Sequence, residues 1–83
     1  MSYEKVSQAD EVLIGTKQTL KALEANFVKE VIVAGDAENR VISKVILTAE
    51  SKGVPVYTVD SMRRLGTVCG IDVGAAAVAL KKQ

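Results

Sequence analysis

Val31-Ile32-Val33-Ala34 is the stretch that most limits what this chain can fold into. Three of its four residues are β-branched, and none is polar. Such a run fits a strand, and a strand without polar alternation must be covered on both faces. The flanking sequence supplies helices for that cover. Arg40 to Lys52 carries Val41, Ile42, Val45, Ile46 and Ala49 at helical spacing, on its predicted inner face. Gly53 stands where a helix C-terminal glycine belongs, and Pro55 forbids continuation. Val56-Tyr57-Thr58-Val59 then reads as the next strand.

The same alternation runs through the rest of the chain. Ser2 to Asp10 is predicted as a short helix, capped by Ser2, with Tyr3, Val6 and Ala9 on one face. Val12 to Ile14 is a brief strand closed by Gly15. Thr16 to about Asn26 is a helix with Leu20, Leu23 and Phe27 at helical spacing and Asn26 as its terminator. Gly35 to Asn39 is a polar turn. Asp60-Ser61 offers a cap for a helix from Met62 to Cys69, on which Met62, Leu65 and Cys69 share a face. Gly70 ends that helix, Ile71-Asp72-Val73-Gly74 is a loop, and Ala75 to Leu80 is a last strand. The order α-β-α-β-α-β-α-β predicts an α/β fold: a three-layer α-β-α sandwich around a four-stranded mixed sheet. With 83 residues, the expectation is a single domain over 1–83.

Composition removes most catalytic chemistry. Cys69 is the only cysteine and histidine is absent, which excludes an internal disulfide, zinc sites and histidine acid/base catalysis. Asp36, Glu38, Asp60 and Asp72 are scattered over different turns, and nothing pairs them. The expectation is therefore no enzyme, no cofactor and no metal. A polar, charged start and the lack of an apolar run approaching ~18–20 residues predict a cytoplasmic protein without a membrane partner. A net charge of +1 gives no global basic field. Nucleic-acid binding would have to rest on a local patch that recognises shape.

Two stretches invite that reading. In Gly15-Thr16-Lys17-Gln18-Thr19-Leu20-Lys21, Gly15 permits a tight turn and Thr16 is the expected N-cap. Lys17 and Lys21 lie four apart on one helix face. N–H groups at a helix start suit a phosphate, and lysine and glutamine can read base edges. The same residues also describe an ordinary capped surface helix. In Ile71-Asp72-Val73-Gly74, two apolar residues flank a carboxylate where a loop is usually polar. Either both fold inward to close the core, or they form an exposed platform for an unstacked base.

These two stretches, together with Val31 to Asp36, Val54-Pro55-Val56, Ser61, Leu65-Gly66 and Gly70 to Ala76, resemble in order and spacing the large-subunit ribosomal protein family that binds kink-turn RNA (L-seven-Ae/L-thirty-e). The match runs across nearly the whole chain, and the short length resembles the bacterial YbxF-like branch. The resemblance implies recognition of the kink-turn, a bent helix–internal loop–helix element. Gly15, Thr16, Lys17, Gln18 and Lys21 would belong to the segment that enters the RNA. Many family members have Asn and Glu where this chain has Lys17 and Gln18. Asp36 would lie beside that segment, orienting a lysine or accepting from a guanine amine. Ile71, Asp72, Val73 and Gly74 would form the loop that touches the flipped-out nucleotide, with Arg63 and Arg64 holding phosphates. The implied partner is kink-turn-containing RNA, ribosomal or regulatory, bound by a monomer that associates with the ribosome. The competing reading is a protein–protein module of the ribosome or an RNA-processing complex, without direct RNA readout. The physics suits the first. The major groove of A-form RNA is too narrow to read, whereas a kink with sheared G·A pairs exposes Hoogsteen edges to Lys and Gln.

Overall fold

The computed structural model describes residues 2–82. Eight elements follow one another: α1 (Tyr3–Gln8), β1 (Val12–Ile14), α2 (Thr16–Glu24), β2 (Val28–Ala34), α3 (Asn39–Ser51), β3 (Val56–Val59), α4 (Met62–Val68) and β4 (Ala77–Lys81). The strands form one mixed sheet in the order β1-β4-β2-β3. β4 lies antiparallel to both β1 and β2, and β3 runs parallel to β2. A parallel neighbour needs a crossover, and α3 is that crossover between β2 and β3.

Val31, Ile32, Val33 and Ala34 are all fully buried, as are Ala77, Val78 and Ala79 beside them on β4. Consecutive strand residues point to opposite faces, so both faces of the sheet centre are covered. α2 packs with α3, and α1 with α4. The core they enclose is aliphatic, with Leu23, Val28, Val45, Val59 and Leu65 shut off from solvent. The predicted sandwich and its element order stand.

Several boundaries move. Ser2 makes no side-chain cap at α1. α2 stops at Glu24, and Asn26 takes a φ of 62° just beyond it. The Asn26 N–H then donates to the Leu23 carbonyl at 3.1 Å, and the Phe27 N–H donates to the Ala22 carbonyl at 3.1 Å. This is a Schellman closure, and it turns Phe27 out of the helical stripe it was expected to share with Leu20 and Leu23. Val41 likewise leaves the predicted inner face of α3 for solvent, while Ile42, Val45 and Ala49 are buried there. The last strand begins at Ala77 rather than Ala75, and the Ala75 N–H is taken by the Met62 carbonyl of α4 at 3.0 Å.

Candidate nucleic-acid interface

β1 and β2 are both antiparallel to β4, and β3 is parallel to β2, so β1, β2 and β3 all run the same way. Their C-terminal ends therefore emerge on the edge where β4 begins. That edge gathers four segments distant in sequence: Gly15-Thr16, Gly35-Asp36, Asp60-Ser61 and the loop from Gly70 to Ala76. Hydrogen bonds join them. The Gly15 N–H donates to the Ala77 carbonyl at 2.9 Å, the Ala34 N–H to Ala76 at 2.8 Å, and the Gly35 N–H to Val59 at 2.7 Å. Carboxyl ends of strands are the usual ligand side of open α/β sheets.

At the first segment the structure corrects the expected cap. Gly15, not Thr16, is the N-cap of α2, with φ 105° and ψ 155°, a region open essentially to glycine alone. Its carbonyl accepts from the Thr19 N–H at 3.0 Å, and Thr16 is the first helical residue. No side chain caps this end. The N–H groups of Thr16, Lys17 and Gln18 thus face outward at the positive end of the helix dipole. Lys17, Gln18 and Lys21 are exposed on the same helix.

The loop before β4 resolves the open alternative by splitting it. Ile71 is half-buried against the core, whereas Val73 is 70 % exposed. The loop is clamped to α4 along its length. The Ile71 N–H donates to the Gly66 carbonyl and the Ala75 N–H to the Met62 carbonyl, each at 3.0 Å. A Cβ at Gly66 would lie 2.0 Å from the Val73 carbonyl oxygen, so only glycine allows this approach. Val73 is therefore an apolar side chain held outward on a fixed backbone. Beside it lies a shallow depression of about 420 Å³, lined by Arg63, Thr67, Gly70, Ile71, Asp72 and Val73.

Asp36 has a role that the sequence did not disclose. Its carboxylate accepts from the Met62 N–H at 2.8 Å and so ties the turn after β2 to the start of α4. Ser61, as expected, caps the same helix by accepting from the Arg64 N–H at 3.1 Å. Arg63 and Arg64 part company. Arg63 lines the depression, while the Arg64 guanidinium lies 5.0 Å from the centroid of the Tyr3 ring, on the side of α1. The buried Tyr3 hydroxyl donates to the Asp60 carboxylate and accepts from the Ser61 N–H at 3.2 Å. That hydrogen bond is the main reason Asp60 is held below the usual carboxylate range. Tyr3 and Asp60 were not read as partners, since nothing in the sequence relates positions 57 residues apart. Gly66 and Thr67 were also missed as site residues. For Thr67 a signal existed, since it lies four residues after Arg63 on the same helix face.

Exposed cations lie on and beside this edge although the chain is nearly neutral. Lys17, Lys21 and Arg63 are exposed, and the three ion pairs among the described residues use Lys5, Arg40 and Lys81 instead. The gathered segments also carry Asp36, Asp60 and Asp72, of which Asp36 accepts from the α4 backbone and Asp60 from the Tyr3 hydroxyl. Among the described residues no group of three His, Cys, Asp or Glu could hold a metal ion, and no helix is long and apolar enough to cross a membrane. Cys69 is half-buried, and burial pushes its thiol up.

Residues 2–83 match the sequence profile of the ribosomal protein L7Ae/L30e/S12e/Gadd45 family. The chain belongs to this family. Within it, an RNA-binding protein of Halalkalibacterium halodurans is 65 % identical over 82 residues, covering 99 % of this chain and all of the relative. The RNA-binding protein YbxF of Geobacillus stearothermophilus is 56 % identical over 80 residues, covering 96 % of this chain and 98 % of that one. The family's short bacterial YbxF-like branch is thus where this chain falls. Among solved structures, the 15.5 kD RNA-binding protein of Giardia lamblia superposes with a TM-score of 0.84 at 26 % identity, covering 98 % of this chain and 68 % of that one. The family fold thus carries the edge described above.

Proposed function

We propose that this chain binds RNA and, more specifically, recognises kink-turns through the edge where β1, β2 and β3 end. The observation that carries the proposal is the placement of two unlike devices on one rigid edge: the uncapped start of α2 and the outward Val73 loop. The names of the Halalkalibacterium, Geobacillus and Giardia relatives support RNA as the partner. In this reading the α2 N–H groups and Arg63 position phosphates, and Lys17 and Gln18 donate to exposed Hoogsteen edges. Val73 receives the unstacked nucleotide beside the depression. The activity is binding without catalysis. The protein binds kinked RNA better than extended RNA and so shifts the RNA population toward the kink. Ribosomal RNA and regulatory leaders both offer such targets, and a monomer on the ribosome fits the reading.

A protein-docking role through α3 has less support. Its two exposed apolar residues, Val41 and Leu47, stand about 120° apart around the helix and so form no common patch.

The test is a folding titration with a doubly labelled kink-turn duplex and a control whose G·A pairs are converted to Watson–Crick pairs. The expected result is at least tenfold tighter binding to the kink-turn, with Lys17→Ala and Gln18→Ala each losing about 1–3 kcal/mol of that preference. Equal affinity for the two duplexes would refute kink-turn recognition.

A further inference from the structure

Phe27 is one of three aromatic residues in the chain and is 56 % exposed. Its backbone is fixed on both sides. Its N–H donates to the Ala22 carbonyl at 3.1 Å, and its carbonyl accepts from the Lys82 N–H at 2.8 Å. The ring is therefore presented by an ordered segment at the closure of α2. It forms one wall of an open groove of about 310 Å³ whose floor is Leu13, Ala22 and Ala25 and whose rim is Gln18, Lys21 and Lys81. The Lys81 ammonium lies 5.8 Å from the ring centroid and 3.3 Å from the Glu11 carboxylate, in a half-exposed pair.

We propose that this groove is a second RNA subsite, in which an unpaired base flanking the kink-turn stacks on Phe27 while Lys21 and Lys81 face its phosphates. The proposal rests on the kink-turn reading and extends it along α2. Three observations favour a nucleotide as occupant. The floor is apolar and one wall is an aromatic ring, which suits any base because every base has a π-face. The rim carries a carboxamide and two ammonium groups, of which Lys21 lies outside the three ion pairs and Lys81 would exchange the Glu11 carboxylate for a phosphate, which suits a polyanion. Gln18 and Lys21 link the two sites along α2: the groove starts beside the proposed interface and runs to Phe27 at the opposite end of the sheet, where β2 begins and β4 ends. Because Phe27 is already ordered, stacking on it spends little conformational entropy.

The experiment compares four RNAs: a blunt kink-turn duplex, the same duplex with a single-stranded extension at one end, the same duplex with the extension at the other end, and the single strand alone. Stacking on an aromatic ring is worth roughly 5- to 150-fold in affinity. Phe27→Ala should lose that factor on one extended duplex and less than twofold on the blunt one. Phe27→Leu keeps the apolar bulk without the π-face and should lose as much as Phe27→Ala. The chain has no tryptophan, so Phe27→Trp adds a single tryptophan that can be excited apart from the two tyrosines, and its emission should be quenched by the extended duplex and not by the blunt one. The proposal is overturned if Phe27→Ala weakens blunt and extended duplexes alike, which marks a structural role. It is equally overturned if no RNA quenches the tryptophan, which leaves the groove to a protein partner. Failure of the kink-turn reading looks different, because the unaltered protein would then fail to separate the blunt duplex from its Watson–Crick control. In that case, quenching by the single strand alone still supports the subsite, and its absence overturns it.

Discussion

Replacing Gly66 with alanine sets two opposed effects against each other. Gly66 lies inside α4, where helix propensity alone favours alanine by about 1 kcal/mol. Yet the added Cβ would stand 2.0 Å from the Val73 carbonyl oxygen, 3.0 Å from the Val73 carbonyl carbon and 3.1 Å from the Gly74 Cα. All three are backbone atoms, so no side chain can swing aside. The loop must retreat by about 1.5 Å to restore ordinary contact. Overpacking of this kind costs typically about 1–3 kcal/mol. Retreat also strains the bonds from Ile71 to Gly66 and from Ala75 to Met62, each worth about 0.5–1.5 kcal/mol. The intrusion outweighs the propensity gain, and the expected net loss is about 1–3 kcal/mol, or a fall in Tm of roughly 4–20 °C. Thermal unfolding followed by circular dichroism measures it. Because the loop carries Val73, affinity for a kink-turn duplex should fall at least tenfold at a temperature where the variant is folded. A Gly66→Ala protein that melts higher and binds as before would refute both the loop clamp and the role given to Val73.

Three further perturbations test other parts of the molecule. The Thr19 hydroxyl is buried with no hydrogen-bond partner among the described residues, so Thr19→Val should stabilise the fold by about 1 kcal/mol in denaturant melts; a loss of stability would show that the hydroxyl is satisfied. Asp36→Ala removes the acceptor for the Met62 N–H and should cost about 0.5–2 kcal/mol, while Asp36→Asn should keep most of the stability; equal losses would mean that charge, not the hydrogen bond, matters. Asp60 is held below the ordinary carboxylate range chiefly by the Tyr3 hydroxyl, so its contribution is full above the unfolded-state value near ~3.9 and is lost as pH falls through the lowered folded-state value. The stability gap between the unaltered protein and Tyr3→Phe should therefore narrow on acidification below about pH 4, and a gap constant with pH in urea melts would remove the Tyr3–Asp60 bond from the account.

Much of the framework was legible because it depends on local rules. The β-branched runs marked the buried centre of β2 and the whole of β3, since such residues fit a strand whatever surrounds them. Ser61 was a correct cap because the bond it makes reaches only three residues, to the Arg64 N–H. Asn26 was correctly placed at the end of α2 for the same reason. Errors arose where a distant strand decided a local conformation. Thr16 is the better capping residue by type, but the bond from Gly15 to Ala77 fixes Gly15 at the helix entrance. Phe27 matched the spacing of Leu20 and Leu23, yet the Schellman closure and the bond from Lys82 place it outside the helix.

The amino-acid order alone determined the alternation of helices and strands, the aliphatic core, the small net charge and the candidate status of Gly15 to Lys21 and Ile71 to Gly74. These follow from periodicity and residue type, which act over a few positions. The direction of each strand, by contrast, is a property of the sheet. Only the mixed pairing around β4 brings the ends of β1, β2 and β3 to one edge. Only the contact of α4 with the following loop decides that Ile71 turns inward and Val73 outward. The physical reason is that such contacts join residues far apart in the chain, whose side chains carry no local mark of their partners.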